Sequence, residues 1–385
     1  MLVETAWKAA RRPYHRQKLA LILANLRHFA LEQATRGVAV RHVASKAPYG
    51  AVLRGLAGET GELTAMEPAE LELRQELAPL VDECVLKLEP HEGWLTDREQ
   101  FRRSAPKGPP WRMDSFYRLV RRESGILMEE GQPEGGKYSF DAENRQPWRG
   151  EPPAPAPPRF QPDEITREVG DLVVSRFNRH PGHLDLGSLP ATRDDAQALW
   201  RWALESCLEH FGPFEDAMSK RSRGLFHTRI SALLNLHRLL PAEVVADAAI
   251  SEAPIQSREG FIRQVLGWRE FVRHVHRETE GFRRIGSDAL PSASAPGDGG
   301  WSRWRGDAWR PSRDPGPEAG GVEPSFLDAD WPLPAVFWGE RSGLSCLDSV
   351  VEDVWTEAYT HHIPRLMVLA NLATLLGIRP CLLYT

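Results

Sequence analysis

The chain has 385 residues, long for a single hydrophobic core, and predicts two domains. Its 41% hydrophobic and 26% charged residues suit a water-soluble globular protein, and a formal charge of −5 gives no global attraction to nucleic acid, so a DNA contact needs a local basic face. No run of about 18 apolar residues exists and the first 20 residues are polar and basic, with Lys8, Arg11, Arg12, His15, Arg16 and Lys18, which predicts a cytoplasmic protein with no membrane span.

From Tyr14 to Gln33 the residues Leu19, Ile22, Leu23, Leu26, Phe29 and Ala30 recur at spacings of three and four, predicting an amphipathic helix. The alternating Val38, Val40 and Val43 predict a strand, and an acidic helix follows over 69–80. This alternation points to an α/β layer, incomplete because Leu2-Val3-Glu4 is the only strand material before the first helix. Pro- and Gly-rich stretches such as SAPKGPPWR and EEGQPEGGKYSF then predict a connector between domains. From Pro162 the pattern is helical, clearest over 196–210, 230–240, 257–277 and 347–376, which predicts an all-α second domain. The resulting plan is an α/β domain over 1–105, a connector over 106–165 and a helical domain over 166–385. Residues 286–324 are dense in Gly, Pro, Ser and Asp around Trp301, Trp304 and Trp309. They predict a disordered insertion, with a basic-aromatic DNA contact as the alternative.

Four cysteines, Cys84, Cys207, Cys346 and Cys381, lie far apart with no C-x-x-C pair, so neither a disulfide framework nor a zinc knuckle is suggested. Neither G-x-G-x-x-G nor a P-loop occurs, so a nucleotide would not sit in a Rossmann crevice. In FIRQVLGWREFVRHVH a stripe of Phe261, Val265, Trp268, Val272 and Val275 leaves Arg263, Arg269, Arg273 and Arg277 off it, which reads as a buried face and a basic one. Gly267 within this helix favours close approach by a ligand or a neighbouring helix. In FHTRISALLNLHRLL, His227, Thr228 and Ser231 precede or open an apolar-patterned helix, as an N-cap or as a phosphate-facing helix start. The adjacent His361 and His362 would point about 100° apart on a helix, so one can face a cofactor or substrate while the other anchors it. Pro364 either kinks that segment or falls in the first turn of a new helix.

Several of these stretches together resemble the iron–sulfur class of bacterial cryptochromes and photolyases, the deoxyribodipyrimidine photolyase-related proteins. The match rests on Gly267-Trp268-Arg269-Glu270-Phe271, the His227 segment, Phe140 to Pro147, and Cys346 set fifteen and sixteen residues ahead of His361-His362-Ile363 with Arg365-Leu366-Met367 and Asn371 following. Met66-Glu67-Pro68 is similar to the end of a family strand near a lumazine antenna.

The resemblance implies the photolyase/cryptochrome architecture, with FAD held by His227, Thr228, Ser231, Gln264, Gly267, Trp268, Glu270, Arg365, Met367 and Asn371. It implies a monomer acting on damaged DNA, with Arg269, Arg273 and Arg277 on phosphates and His361 and His362 managing a proton during light-driven repair of pyrimidine photoproducts, the (6-4) type foremost. Phe140 to Pro147 would hydrogen-bond across the domain interface or line the antenna region. Cys346 matches the first ligand of a [4Fe-4S] cluster whose other three lie past the last residue here. The chain is therefore expected to be shortened at both ends, by a reading-frame break, as a fragment or as a degenerate paralogue, and to bind no cluster. The alternative functions are a blue-light sensor without repair and an inactive remnant.

Overall fold

A computed structural model describes residues 1–281 and 331–378; the insertion expected over 286–324 and Cys381 lie outside the described residues. The principal elements run β1 (Leu2–Thr5), α1 (Ala6–Ala10), α2 (Arg16–Thr35), β2 (His42–Ser45), α3 (Tyr49–Thr60), β3 (Leu63–Met66), α4 (Leu71–Asp82), β4 (Leu86–Glu89), α5 (Arg98–Ser104), α6 (Met113–Ser124), α7 (Glu164–Arg176), α8 (Arg193–Trp202), α9 (Leu208–Phe211), α10 (Ser231–Asn235), α11 (Pro241–Ile250), α12 (Ile255–Ile262), α13 (Glu270–Glu278), α14 (Ser345–Glu357) and α15 (Asn371–Leu375). Stretches of π-helix, Ala203–Cys207, Arg263–Arg269 and Pro364–Ala370, lead into α9, α13 and α15. An α/β part followed by a helical part is the fold class that the sequence predicts.

The chain divides into two units, and neither is continuous. The first holds Met1–Trp94, Pro158–Leu199 and Leu233–Arg238; the second holds Leu95–Pro157, Trp200–Ala232 and the chain from Leu239. In the first unit β1 pairs parallel with β2 from Leu2 opposite His42, and β3 pairs parallel with β4 from Leu63 opposite Leu86. Each pair is bridged by a helix, α2 or α4, as parallel strands require. The predicted strand is shorter than its valine pattern. Val38 is exposed because β1 is only four residues long and offers partners no earlier than His42.

The plan of 1–105, 106–165 and 166–385 differs from these units for an identifiable reason. The apolar stripe of α2, Leu19, Ala20, Leu23 and Ala24, needs a cover, and α7 supplies it with Val169, Val173 and Phe177. The segment expected to open the helical domain thus completes the first unit. Asp163 caps α7, its Oδ1 accepting from the Thr166 N–H at 2.8 Å.

The expected connector also contains structure. Helix α6 buries Phe116, Tyr117, Val120 and Arg121, an i, i+1, i+4, i+5 pattern, in the second unit. Arg121 is fully buried and donates to the carbonyls of Ile126, Leu127 and Tyr138. Around α6 and α13, Phe101, Phe116, Phe271 and His274 pack ring against ring at 5.0–6.0 Å.

If α7 is the cover of α2, Leu19→Ala should lower stability by about 2–4 kcal/mol in a urea titration. A loss below about 1 kcal/mol would mean that α7 does not close this core.

Candidate functional site

Three histidines meet in the second unit. The rings of His227 and His361 stack at 4.1 Å with 17° between planes, and His362 stands edge-on to His227 at 5.4 Å. His227 and His361 keep 7% and 3% of their surface, while His362 is half-buried.

Local conformation explains how adjacent histidines share one pocket. Helix α14 ends at Ala358, which takes a left-handed conformation at φ 54°, and a new helix starts beyond His361. His361 therefore lies ahead of the helix and His362 in its first turn. Pro364 also falls in that turn, where its missing N–H costs nothing.

Arg229 ties this turn to the His227 loop. It bonds Glu357 at 2.8 Å and lies over the Tyr359 ring at 4.7 Å, while Arg223 holds Asp353 at 2.7 Å and Glu357 at 3.0 Å.

A buried carboxylate fixes the other side. Glu215 accepts from Asn144 at 3.0 Å, from Arg263 at 3.2 Å and from Gln264. The main chain of the same residue lies close enough to the His227 ring to favour its protonated form, against the larger effect of burial. Its neighbour Asp216 stands 3.3 Å from Nε2 of His362. Nε2 of His227 and Nδ1 of His361 are buried with no hydrogen-bond partner.

Burial, with His362 and nearby arginines adding to it, pushes His361 down to about 3. Burial likewise holds His227 well below the ordinary histidine range. Both are neutral imidazoles at physiological pH.

The remaining residues of the predicted site fall in different places. Thr228 is buried beside His227. Ser231 is exposed at the start of α10, only five residues long rather than spanning 230–240, because Pro241 opens the next helix. Arg365, Met367 and Asn371 are exposed along the last helical run, and Trp268 is 43% exposed. Cys346 is exposed in the first turn of α14; among the described residues it joins no group of three or more side chains able to hold a metal.

Helix α12 and its continuation correct the expected stripe. Phe261 and Val265 are buried, but Trp268 and Val272 are exposed, and Gly267, Glu270, Phe271 and His274 take the inner positions. The π-helical stretch between them takes about one residue more per turn than an α-helix, which rotates the inward face by roughly 100°. Gly267 consequently meets a neighbouring helix: a Cβ there would come 3.2 Å from Sδ of Met113 and 3.3 Å from Tyr117. Glu270 is fully buried and accepts from the N–H groups of Leu95 and Thr96 at 3.1 Å and from the Thr96 hydroxyl at 2.8 Å. Arg269 and Arg273, expected on an open cationic face, are turned inward. Their side chains keep 13% and 14% exposure, with Arg269 on Glu270 at 3.0 Å and Arg273 donating to the Thr96 carbonyl at 3.1 Å.

Of the residues expected at FAD, Gly267 and Glu270 are occupied in packing and hydrogen bonding. Asp216, Glu215, Arg229 and Tyr359 were not predicted. Arg229 lies within the quoted His227 motif and Tyr359 two residues before His361, so proximity to the histidines was the available signal.

A family model described as deoxyribodipyrimidine photo-lyase-related protein matches residues 1–187. A (6-4) photolyase of Agrobacterium fabrum is 31% identical over 393 aligned residues, covering 99% of this chain and 70% of its own length. A solved bacterial class III photolyase from Agrobacterium tumefaciens shares the fold with a TM-score of 0.54 at 17% identity, over 98% of this chain and 67% of the other. Among the described residues no helix is long and apolar enough to cross a membrane.

The depressed histidines predict a pH effect with a definite sign. His361 goes from the ordinary 6.5 to about 3 on folding, so between those values the unfolded chain binds more protons. Its contribution to stability is complete above about pH 6.5 and is lost as pH falls toward 3. Subtracting the stability profile of His361→Gln from that of the parent should leave a slope of about 1.4 kcal/mol per pH unit between roughly pH 6 and 4. Parallel profiles would show that the imidazole is open to water.

Proposed function

The chain belongs to the deoxyribodipyrimidine photo-lyase-related family, and from that membership we propose that it is an FAD-dependent enzyme using light to repair pyrimidine photoproducts, of the (6-4) type, in DNA. The family acts on damaged DNA. The finer reading is supported by the likeness to a (6-4) photolyase, and the observation that carries it is the convergence of His227 with His361 and His362.

Bound FAD would supply light-driven electron transfer, and the chain's residues would do the rest. Trp268, Arg365, Met367 and Asn371, with Gln264, Thr228 and Ser231, would hold the cofactor. His361 is neutral and His362 has a carboxylate partner. In this reading His362 exchanges a proton with the lesion and returns it toward Asp216, while neutral His361 orients and hydrogen-bonds the extruded base. Arg277, at the basic end of α13, would contribute phosphate affinity.

The test is repair of a defined (6-4) lesion by the full chain supplied with FAD under blue light. His362→Ala should slow repair by about 10^2–10^4-fold while flavin content stays unchanged. Equal rates for parent and variant would remove the histidine from the chemistry, and light-independent activity of the parent would overturn the photolyase reading.

A further inference from the structure

We propose that His227, His361 and His362 form a three-imidazole site for one divalent transition-metal ion of the zinc class. This use of the pocket goes beyond light-driven repair and does not depend on it. The candidate ligand nitrogens all lie within 4.8 Å of one another. Three nitrogens around a tetrahedral ion at about 2.0–2.1 Å would stand about 3.4 Å apart. A contraction of at most about 1.4 Å therefore completes the set, and the half-buried His362 ring has room to supply it.

Two further observations favour a metal over an accidental cluster. Nε2 of His227 and Nδ1 of His361 are buried ring nitrogens with no partner, which a low-dielectric interior does not leave unmet without cost. One ring also has the outer partner typical of a metal-binding histidine, the Asp216 carboxylate at Nε2 of His362, which leaves its Nδ1 for an ion. An all-imidazole set selects zinc, cobalt, nickel or copper over magnesium and calcium, which prefer oxygen. Three protein ligands leave the fourth position to water, as in open rather than closed zinc sites. Metal and proton would compete for the same lone pairs, so an occupied site could not serve proton transfer.

Cobalt(II) is the probe, added in the dark to the full chain without DNA or flavin and after alkylation of its thiols. One ion per chain should bind with the visible bands of a four-coordinate centre. Zinc should displace it, and millimolar magnesium should not. Asp216→Asn should weaken binding by about tenfold or more. His362→Gln, at a half-buried position that tolerates an amide, should abolish the four-coordinate bands while far-ultraviolet circular dichroism is unchanged. A six-coordinate spectrum, binding undiminished in His362→Gln, or no binding at micromolar cobalt would each overturn the site. Because neither light nor lesion enters the measurement, its failure leaves the repair reading standing, and loss of repair activity leaves the metal site standing.

Discussion

The buried pair of Arg263 with Glu215 is the interaction on which the histidine pocket depends. Their side chains keep 6% and 3% exposure, and Arg263 also reaches Glu259 and Asp141. Isolated, such a pair contributes little net stability, because desolvating both charges offsets their attraction, while removing one partner costs about 3–5 kcal/mol. Its value here is positional. Glu215 is held from three sides by Asn144, Arg263 and Gln264, so its neighbour Asp216 can meet His362. One carboxylate thereby links the 140–147 motif, the loop before His227 and the helix after α12.

The second half of the pocket arrives by a different device. Ala358 and Arg229 both adopt left-handed backbone, φ 54° and 58°, at a cost of about 1–2 kcal/mol each for residues other than glycine. Such strain persists only where surrounding contacts fix it. The contacts here are the Arg223 and Arg229 pairs with Asp353 and Glu357 and the Arg229 face on Tyr359. The sharp turn they hold lets two consecutive residues, His361 and His362, enter one pocket, which a continuous helix would forbid.

What the sequence made legible was periodic and local. Leu19 and Leu23 announced α2, and the histidine pair with its following Pro364 announced a site near a helix start. The apolar positions of α6 follow the same kind of rule but were hidden between Pro- and Gly-rich flanks. The failures have one physical origin each. The stripe through Trp268 and Val272 assumed 3.6 residues per turn through a stretch that is π-helical, so the inward positions passed to Gly267, Glu270 and His274. Arg269 and Arg273 looked like surface cations because no local rule announces a buried Glu270. Assigning α7 to the second domain followed chain order, whereas the bare face of α2 decided where it packs.

The electrostatics of the pocket favour a division of labour among its histidines. Desolvation keeps His227 and His361 neutral, so they offer lone pairs and polar N–H groups rather than charge. His362 differs in having both solvent access and a carboxylate at 3.3 Å, which orients its ring. Solvent therefore reaches His362 first, whereas a metal ion would also engage the neutral inner rings. The same burial that makes His227 and His361 poor bases makes them available ligands, and the occupant of their lone pairs decides which chemistry the pocket can support.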